Sequence, residues 1–369
     1  MKLLIAKEQI LQGLQAVQNV VGSRTTLPIL SNVLLQASEG RLELTATDLD
    51  VTVSCAVQAQ VTIPGSTTIP VKKFFGICRE LGHPEIELET DERNVCTLAA
   101  GNSFYRINGL AAGDFPPQAQ FAEKKHIVVP QEKLRAMLKR TAFAISTDES
   151  RYVLNGIYHS LKNHKFTMVS TDGRRLALVE EEVDVGPESE GDFIVPTKAI
   201  NELSRLLQPS GEVSIRYTDN QVAYTLKAEN APTVLIISKL VEGSYPNYRQ
   251  VIPTEFKERV TVVREELLQA LRRAEIMTSD KSNSVKLAFT KNNLAITANT
   301  PEVGEGRESL AINYKGIDVA IAFNPVFLMD PLKALDEDEI YIELNDELSP
   351  GVIKTASPFL YVIMPMRMA

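Results

Sequence analysis

The sequence contains few residues that could form disulfides or metal sites. Among its 369 residues are three cysteines and four histidines. Cys55, Cys78 and Cys96 lie far apart and form no CxxC pair, so the sequence predicts neither a disulfide framework nor a zinc knuckle. Cysteine used in this way is typical of a protein in a reducing cytosol.

Long apolar runs are also missing. The apolar run at the N-terminus stops after four residues, whereas a signal peptide needs a longer apolar core. The run at 359–366 is far shorter than the ~20 residues that span a bilayer. We therefore expect a soluble protein of the cytoplasm.

The familiar signatures of catalysis are absent as well. There is no Walker loop, HExxH pair, GxSxG nucleophile motif or kinase motif set. Asp48 and Asp50 could hold a divalent cation beside a phosphate. A turn at the end of a strand is the favoured interpretation, because the equivalent turns at Asp172 and Asn299 do not keep the pair.

Two histidines offer another candidate metal site. His159 and His164 have no spacing known for zinc ligands, and we expect both to lie in loops around a hairpin turn at Lys162-Asn163. The sequence thus predicts no metal, no cofactor and no active site of its own.

Charge is unevenly distributed along an otherwise ordinary sequence. Charged residues make up 23% and apolar residues 44%, and the formal net charge is −8. An acidic total argues against nonspecific coating of nucleic acid or an anionic membrane. Basic residues nevertheless outnumber acidic ones on the predicted helices at 72–81, 131–144 and 198–205. From the residues alone, these faces are either simply solvated or a local basic surface.

The most informative feature is an internal repeat. Three segments, beginning at Leu4, Val128 and Val262, predict a short strand that leads into a helix with apolar residues at i and i+4. Alternating strand-like runs follow each opening, at 42–48, 166–172 and 294–299. We expect an α+β fold of three domains, 1–125, 126–252 and 253–369, each with two helices and about eight short strands.

The joints between the repeats also resemble each other. Gly113-Asp114-Phe115-Pro116 and Gly243-Ser244-Tyr245-Pro246 share the order glycine, any residue, aromatic residue, proline. Each joint lies where one predicted domain ends and the next begins. Polar segments at 119–125 and 254–259 are interpreted as linkers.

Several stretches carry a more specific pattern. They are RTTLPIL at 24–30, KFFGICR at 73–79, RYVLNG at 151–156, TDGRRLA at 171–177, SKLVEG at 238–243 and YVIMPMR at 361–367. In these stretches, and in their order along the whole chain, the sequence resembles the bacterial sliding clamps, the beta subunits of DNA polymerase III.

The resemblance implies three repeated DNA-clamp domains and a homodimer that closes head to tail into a ring around duplex DNA. Helix spacing agrees with two chains: packed ~10 Å apart, six helices leave a hole of only ~9 Å, whereas twelve leave ~28 Å for a duplex roughly 20 Å wide. The implied function is a processivity factor that slides on DNA without reading its sequence and tethers the replicative polymerase, the clamp loader, other polymerases and repair proteins. The alternative is a polymerase-associated nucleotidyltransferase subunit with its own active site.

The resemblance also assigns candidate site residues. The implied DNA contacts are Arg24, Lys72, Arg151, Tyr152 and Lys198. The implied pocket for partner peptides comprises Leu154, Thr171, Gly173, Arg174, Arg175, Leu176, Pro246, Val251, Met364, Pro365, Met366 and Arg367. From the residues alone, Met364 and Met366 would be core packing of a last strand.

The implied ring interface involves Tyr105, Ile276 and Met277. We expect it to pair the strand-like run at 103–108 with the run at 284–289, although Ile276 and Met277 could instead be core residues of their own domain. The chain differs from residues frequent in the family at Val153, Arg174 and Gln250, which bears on peptide preference. The segment at 146–150 is acidic, which leaves its contact with DNA open.

Overall fold

The structure is a computed structural model that describes residues 1–22, 27–117, 125–279, 283–301 and 304–367. Within these ranges the chain forms six α-helices and 25 strands, and every strand pairing is antiparallel. The element order repeats three times, as the sequence predicts. The domain boundaries at 125 and 252 remain predictions.

The first repeat contributes two helices, α1 (Lys7–Val17) and α2 (Val71–Glu80). Helix α2 buries Val71, Phe74 and Cys78, the i, i+3, i+7 pattern of an amphipathic helix. The strands are β1 (Lys2–Ala6), β2 (Asn32–Ser38), β3 (Arg41–Thr47), β4 (Val51–Gln58), β5 (Gln60–Ile63), β6 (Gly65–Pro70), β7 (Glu85–Thr90), β8 (Val95–Ala100) and β9 (Ser103–Asn108).

The second repeat contains α3 (Gln131–Thr141) and α4 (Thr197–Leu206). A short 3-10 turn over Ala142–Ala144 extends α3. The strands are β10 (Lys125–Pro130), β11 (Gly156–Lys162), β12 (Lys165–Thr171), β13 (Arg175–Glu182), β14 (Gly191–Pro196), β15 (Glu212–Tyr217), β16 (Gln221–Lys227) and β17 (Val234–Lys239).

The third repeat contains α5 (Arg264–Glu275) and α6 (Pro325–Ala334). The side chain of Asn324 caps α6 by accepting a hydrogen bond from the amide of Val326, and Pro325 occupies the first helical turn, where its missing N–H costs nothing. The strands are β18 (Glu258–Val263), β19 (Val285–Thr290), β20 (Asn293–Thr300), β21 (Gly304–Ala311), β22 (Val319–Phe323), β23 (Glu339–Leu344), β24 (Gly351–Lys354) and β25 (Phe359–Ile363).

The chain divides into two compact units, and each unit contains a sheet to which two repeats contribute. The first unit comprises 1–135, 186–189 and 198–240. Its sheets have the strand orders β5-β1-β7-β8-β9 and β10-β15-β16-β17-β4-β3-β2-β6, so β17 pairs directly with β4. Helix α1 lies close on this larger sheet because Gly13 has no side chain; a Cβ there would lie 2.7 Å from Leu44.

The second unit comprises 136–185, 190–197 and 241–369. Its sheets have the orders β14-β11-β12-β13-β25-β24-β23-β18 and β21-β20-β19-β22, and β13 pairs with β25. An apolar core between these sheets and helices α5 and α6 includes Leu271, Phe289 and Leu332.

Two predictions from the sequence are wrong. The run at 284–289 is not a sheet edge, because β19 lies between β20 and β22. His159 is not a loop residue: it lies in β11 and is fully buried, while the hairpin turn falls at Asn163 and His164. The first error concerns a strand's neighbours, which alternation of apolar residues does not specify. The turn predicted at Asp48 is confirmed, because its carboxylate accepts the amides of Asp50 and Val51.

Candidate partner pocket, DNA contacts and subunit edges

The turn between β12 and β13 forms one wall of the predicted pocket. Its shape is held by the Asp172 carboxylate, which accepts the amides of Arg174 and Arg175 at 2.9 and 3.1 Å. Gly173 adopts a left-handed conformation with φ of 85°, and a Cβ there would lie 2.6 Å from the Arg151 guanidinium. Only glycine fits this position without strain.

The C-terminal segment lies beside that turn. Strand β25 pairs with β13, and beyond its end the amide of Met364 donates to the carbonyl of Arg174 at 2.9 Å. Two residues later, the amide of Met366 donates to the carbonyl of Ala322 at 2.8 Å. Met364 and Met366 are 42% and 38% exposed, so neither is an ordinary core residue of a last strand. Pro365 lies between them and Arg367 is exposed.

Apolar side chains form the floor of the predicted pocket. Leu176 and Val362 belong to a small buried cluster, with Tyr245 and Ile252 packed against it. The other predicted pocket residues differ in burial. Leu154 is buried, Thr171 is half-buried, and Pro246 and Val251 are exposed.

Arg175 points into the protein interior. Its guanidinium pairs with Asp172 at 3.0 Å and Asp330 at 2.6 Å, donates to the Phe143 carbonyl at 2.7 Å, and lies 4.3 Å from the Phe327 ring centroid. Burial alone would lower its pKa, but the two carboxylates outweigh burial and raise the pKa. This side chain therefore fixes the turn from behind.

Two of the predicted DNA-contact residues have carboxylate partners. Lys198 pairs with Asp48 and donates to the carbonyl of Val20 at 3.2 Å. Arg151 pairs with Asp148 at 3.1 Å. Hydrogen bonds from Ser150, followed by the one from Arg151, lower the pKa of the Asp148 carboxyl. A phosphate would have to compete with these carboxylates for the same cations.

The other predicted DNA contacts are less constrained. Lys72 lies exposed in the first turn of α2, and the ring of Tyr152 is exposed. Arg24 falls outside the described residues.

Helix α3 is less basic in the folded protein than its sequence suggests. Lys139 pairs with Asp336 at 2.7 Å, and Arg140 pairs with Glu337 at 3.0 Å. Lys139 lowers the pKa of the Asp336 carboxyl. These partners are 197 residues away along the chain, so no local pattern could reveal them.

The predicted interface residues lie at or near two strand edges. Strand β9 is an edge strand, and its Phe104 and Tyr105 are exposed. In the β21-β20-β19-β22 sheet, β22 is bridged by Met366, whereas β21 is an edge with no partner beyond it in the described part of the chain. The corrected edge of the third repeat is therefore β21.

Ile276 and Met277 behave differently beside β21. Ile276 is 74% exposed. Met277 packs against the core of its own repeat and lies over Gly306, where a Cβ would be 2.8 Å from its Cγ. The interpretation as core residues thus applies to Met277 and not to Ile276.

Two other kinds of site are absent from the described part of the chain. Across the described ranges, no group of three or more His, Cys, Asp or Glu side chains is placed to hold a metal ion. None of the helices described has both the length and the apolar character needed to cross a membrane.

Three family models of the DNA polymerase III beta subunit match this chain in succession. The N-terminal domain matches residues 1–119, the central domain 128–247 and the C-terminal domain 249–367. The chain belongs to the DNA polymerase III beta-subunit family. The predicted resemblance and the fold of three clamp domains are confirmed.

Relatives in this beta-subunit family match along their full length. The beta sliding clamp of Chlamydia muridarum is 36% identical over 368 residues, covering 100% of this chain and 99% of the relative. The beta sliding clamp of Escherichia coli is 34% identical over 372 residues, with both chains covered completely. These relatives confirm the function of a sliding clamp over that of a nucleotidyltransferase subunit.

Solved structures of sliding clamps agree with this fold. A Bartonella birtlesii DnaN sliding clamp bound to griselimycin has a TM-score of 0.94 and 33% identity, with full coverage of both chains. The DNA polymerase sliding clamp of Bacillus subtilis has a TM-score of 0.94 and 29% identity over the same coverage.

Proposed function

We propose that two copies of this chain close head to tail into a ring around duplex DNA and tether the replicative polymerase to it. The family membership supports this function. Twelve helices leave ~28 Å for a duplex roughly 20 Å wide, whereas six do not leave enough. The ring itself carries out no chemical step, and it acts where the DNA lies, in the cytoplasm.

The observation that carries the proposal is a pair of different open edges on one chain. A head-to-tail ring needs two unlike, complementary surfaces. Strand β9 of one protomer would pair with β21 of the next and satisfy the free backbone groups of both. Exposed Tyr105 and Ile276 supply apolar contact at these edges, and Met277 supports Ile276 from its own core.

Partner proteins would dock short peptides at the C-terminal pocket. Its wall is the Gly173 turn, its floor includes Leu176, and its rim includes Val251 and Met364. The thioether side chain of methionine adapts to different partners, which suits a surface shared by the polymerase, the clamp loader and repair proteins. Arg175 would act as a positioning residue for the turn.

The inner surface would hold DNA weakly, through Lys72, Arg151, Tyr152 and Lys198. Phosphates must displace Asp148 from Arg151 and Asp48 from Lys198. Weak, salt-sensitive contact suits sliding, because a closed ring needs no tight grip to stay on DNA.

Ring closure is tested by retention on DNA. The clamp, loaded by its clamp loader, should stay on nicked circular DNA and slide off the same DNA after linearisation. Ile276→Asp places a carboxylate in the proposed apolar contact and should cost about 3 kcal/mol per interface, roughly a hundredfold in Kd. The variant should be a folded monomer that is not retained.

Leu348→Asp is the matched control for ring closure. Leu348 is 72% exposed, close to the 74% of Ile276, but it lies between β23 and β24, which belong to a different sheet from β21. It should remain dimeric and be retained on circular DNA. If Ile276→Asp stays dimeric at nanomolar concentration, the proposed interface is wrong.

The pocket is tested with a fluorescent peptide that copies the clamp-binding segment of the polymerase. Val251→Asp should weaken peptide binding at least tenfold and abolish polymerase stimulation, because it puts a charge at an apolar contact. Val128→Asp, at a site of similar exposure (46% against 49%), should do neither. Primer extension by the chain without polymerase would contradict the non-catalytic role.

A further inference from the structure

The β3–β4 turn reproduces the backbone of the pocket turn bond by bond. The carboxylate of Asp48 accepts amides two and three residues later at 3.1 and 2.8 Å, and that of Asp172 does so at 2.9 and 3.1 Å. The hydroxyls of Thr47 and Thr171 each accept an amide two residues later at 3.1 Å. The first two repeats therefore present the same turn.

The strand beside each turn is also equivalent. Strand β17 pairs with β4 as β25 pairs with β13. The amide of Lys239 donates to the carbonyl of Asp50 at 2.9 Å, and the amide of Met364 donates to that of Arg174 at 2.9 Å. Lys239 thus stands where the partner pocket has Met364, and Asp50 stands where it has Arg174.

A proline joint completes the counterpart. Phe115-Pro116 ends the first repeat as Tyr245-Pro246 ends the second. Phe115, Pro116 and Ile237 line a cavity of about 100 Å³ at the β3–β4 turn, together with Leu49, Asp50 and Lys239. We call this cavity the counterpart site.

Side chains, not the backbone, close the counterpart site. An ion pair joins Asp50 and Lys239 at 3.0 Å. Leu49 takes the place of Gly173 in the same left-handed conformation, with φ of 80° against 85°. A large side chain rarely adopts this conformation, so its presence here is unusual and costly.

We propose that the joint between the first two repeats is a closed copy of the partner pocket. Leu49, Asp50 and Lys239 are specificity-determining residues that limit each chain to one partner peptide. This inference rests on the proposed function of the C-terminal pocket. An entering peptide must separate the ion pair between Asp50 and Lys239 and displace the side chain of Leu49. The free-energy cost of these two steps weakens binding at this site and so excludes the peptide.

The test gives the counterpart site the residues of the pocket. The triple variant Leu49→Gly/Asp50→Arg/Lys239→Met should raise the stoichiometry of the fluorescent polymerase peptide from one to two per chain, measured by titration at high protein concentration. In the Val251→Asp background, the same three changes should restore one peptide per chain. Asp50 contributes to the turn and to the neighbouring strand through its backbone amide and carbonyl, so both contacts survive the change of side chain.

Controls separate this inference from the pocket itself. Arg79→Met/Glu80→Arg removes another exposed ion pair, on α2, and should leave one peptide per chain. If Val251→Asp alone still binds peptide normally, the pocket assignment fails, whatever the counterpart site does. If the pocket assignment holds but the folded, dimeric triple variant still binds one peptide, the inference is overturned. If the triple variant does not fold, the single variant Lys239→Met takes its place in the test. It keeps Leu49 and Asp50 but breaks the ion pair, so it should bind a second peptide more weakly than the pocket does.

Discussion

The buried imidazole of His159 should make the clamp sensitive to acid. Its ring stacks on Phe193 at 5.2 Å and lies 5.5 Å from Phe166. The Nδ1 atom is 3.0 Å from the carbonyl of Ile157, whereas Nε2 is buried without a partner. A second proton would therefore place a charge among aromatic rings with no acceptor to receive it.

The size of the effect follows from the pKa. Burial lowers the pKa of His159 from 6.5 to about 4, and the hydrogen bond to Ile157 only partly opposes this. Between these values the unfolded chain binds a proton that the folded chain does not, so stability falls as pH decreases from 6.5 towards 4. At 1.36 kcal/mol per pKa unit, the loss is about 3 kcal/mol, and it is absent above pH 7.

Two measurements test this prediction: the protonation of the His159 ring and the stability of the strands around it. In proton NMR, the His159 ring should show no titration down to pH 5. His159→Leu, which has a similar volume and cannot ionise, should flatten the stability of strands β11, β12 and β14 between pH 6.5 and 4.5, measured by amide hydrogen exchange.

His126→Gln is the matched control and should leave the pH dependence of those strands unchanged. Two results would refute the reasoning. One is a His159 ring that titrates near 6.5 in the folded dimer. The other is a His159→Leu variant that loses stability with acid as steeply as the parent.

Three further predictions concern the pocket and the DNA surface. Arg175→Met leaves two mostly buried carboxylates without the Arg175 cation, although Asp330 keeps Lys333. It should cost about 3 kcal/mol in urea unfolding; unchanged stability would show that the ion pairs of Arg175 are dispensable. Gly173→Ala should lower the free energy of unfolding by about 1–2 kcal/mol, because of the left-handed backbone at this position, and should weaken peptide binding. As a control, Gly76→Ala lies in open space on α2 and should raise the free energy of unfolding by about 1 kcal/mol. Lys72→Glu with Lys198→Glu should lower DNA retention and flatten its salt dependence by about one unit of slope per lost phosphate contact; an unchanged slope would place the DNA elsewhere.

Local patterns predicted the elements well, because a helix or strand is encoded by its own side chains. The helix expected at 72–81 forms over Val71–Glu80, where apolar residues recur at helical spacing. Long-range neighbours were not predictable in the same way. Alternation at 284–289 identified a strand, but the order of strands in a sheet depends on pairings far away in the sequence. The partners of Lys139 and Arg140 were missed for the same reason.

Burial of polar residues was the other limit on prediction. The sequence around His159 alternates like a strand, yet a histidine near a turn favours a loop by composition alone. The neighbouring Phe166 and Phe193, which make its burial possible, come from two other strands. For the pocket, the resemblance supplied the positions, whereas the inward direction of Arg175 depended on Asp330, 155 residues away.

The repeats show where the function of this chain resides. The same turn, the same adjacent strand and the same proline joint occur at both joints, so the backbone alone cannot distinguish a partner pocket from a closed site. The difference lies in a few side chains: Gly173 against Leu49, Arg174 against Asp50, and Met364 against Lys239. Because both backbones are already built, a change of side chains at one joint can open or close a site without refolding the domain. Under the proposed function, a change at those few positions is enough to set how many partners one clamp holds at a time.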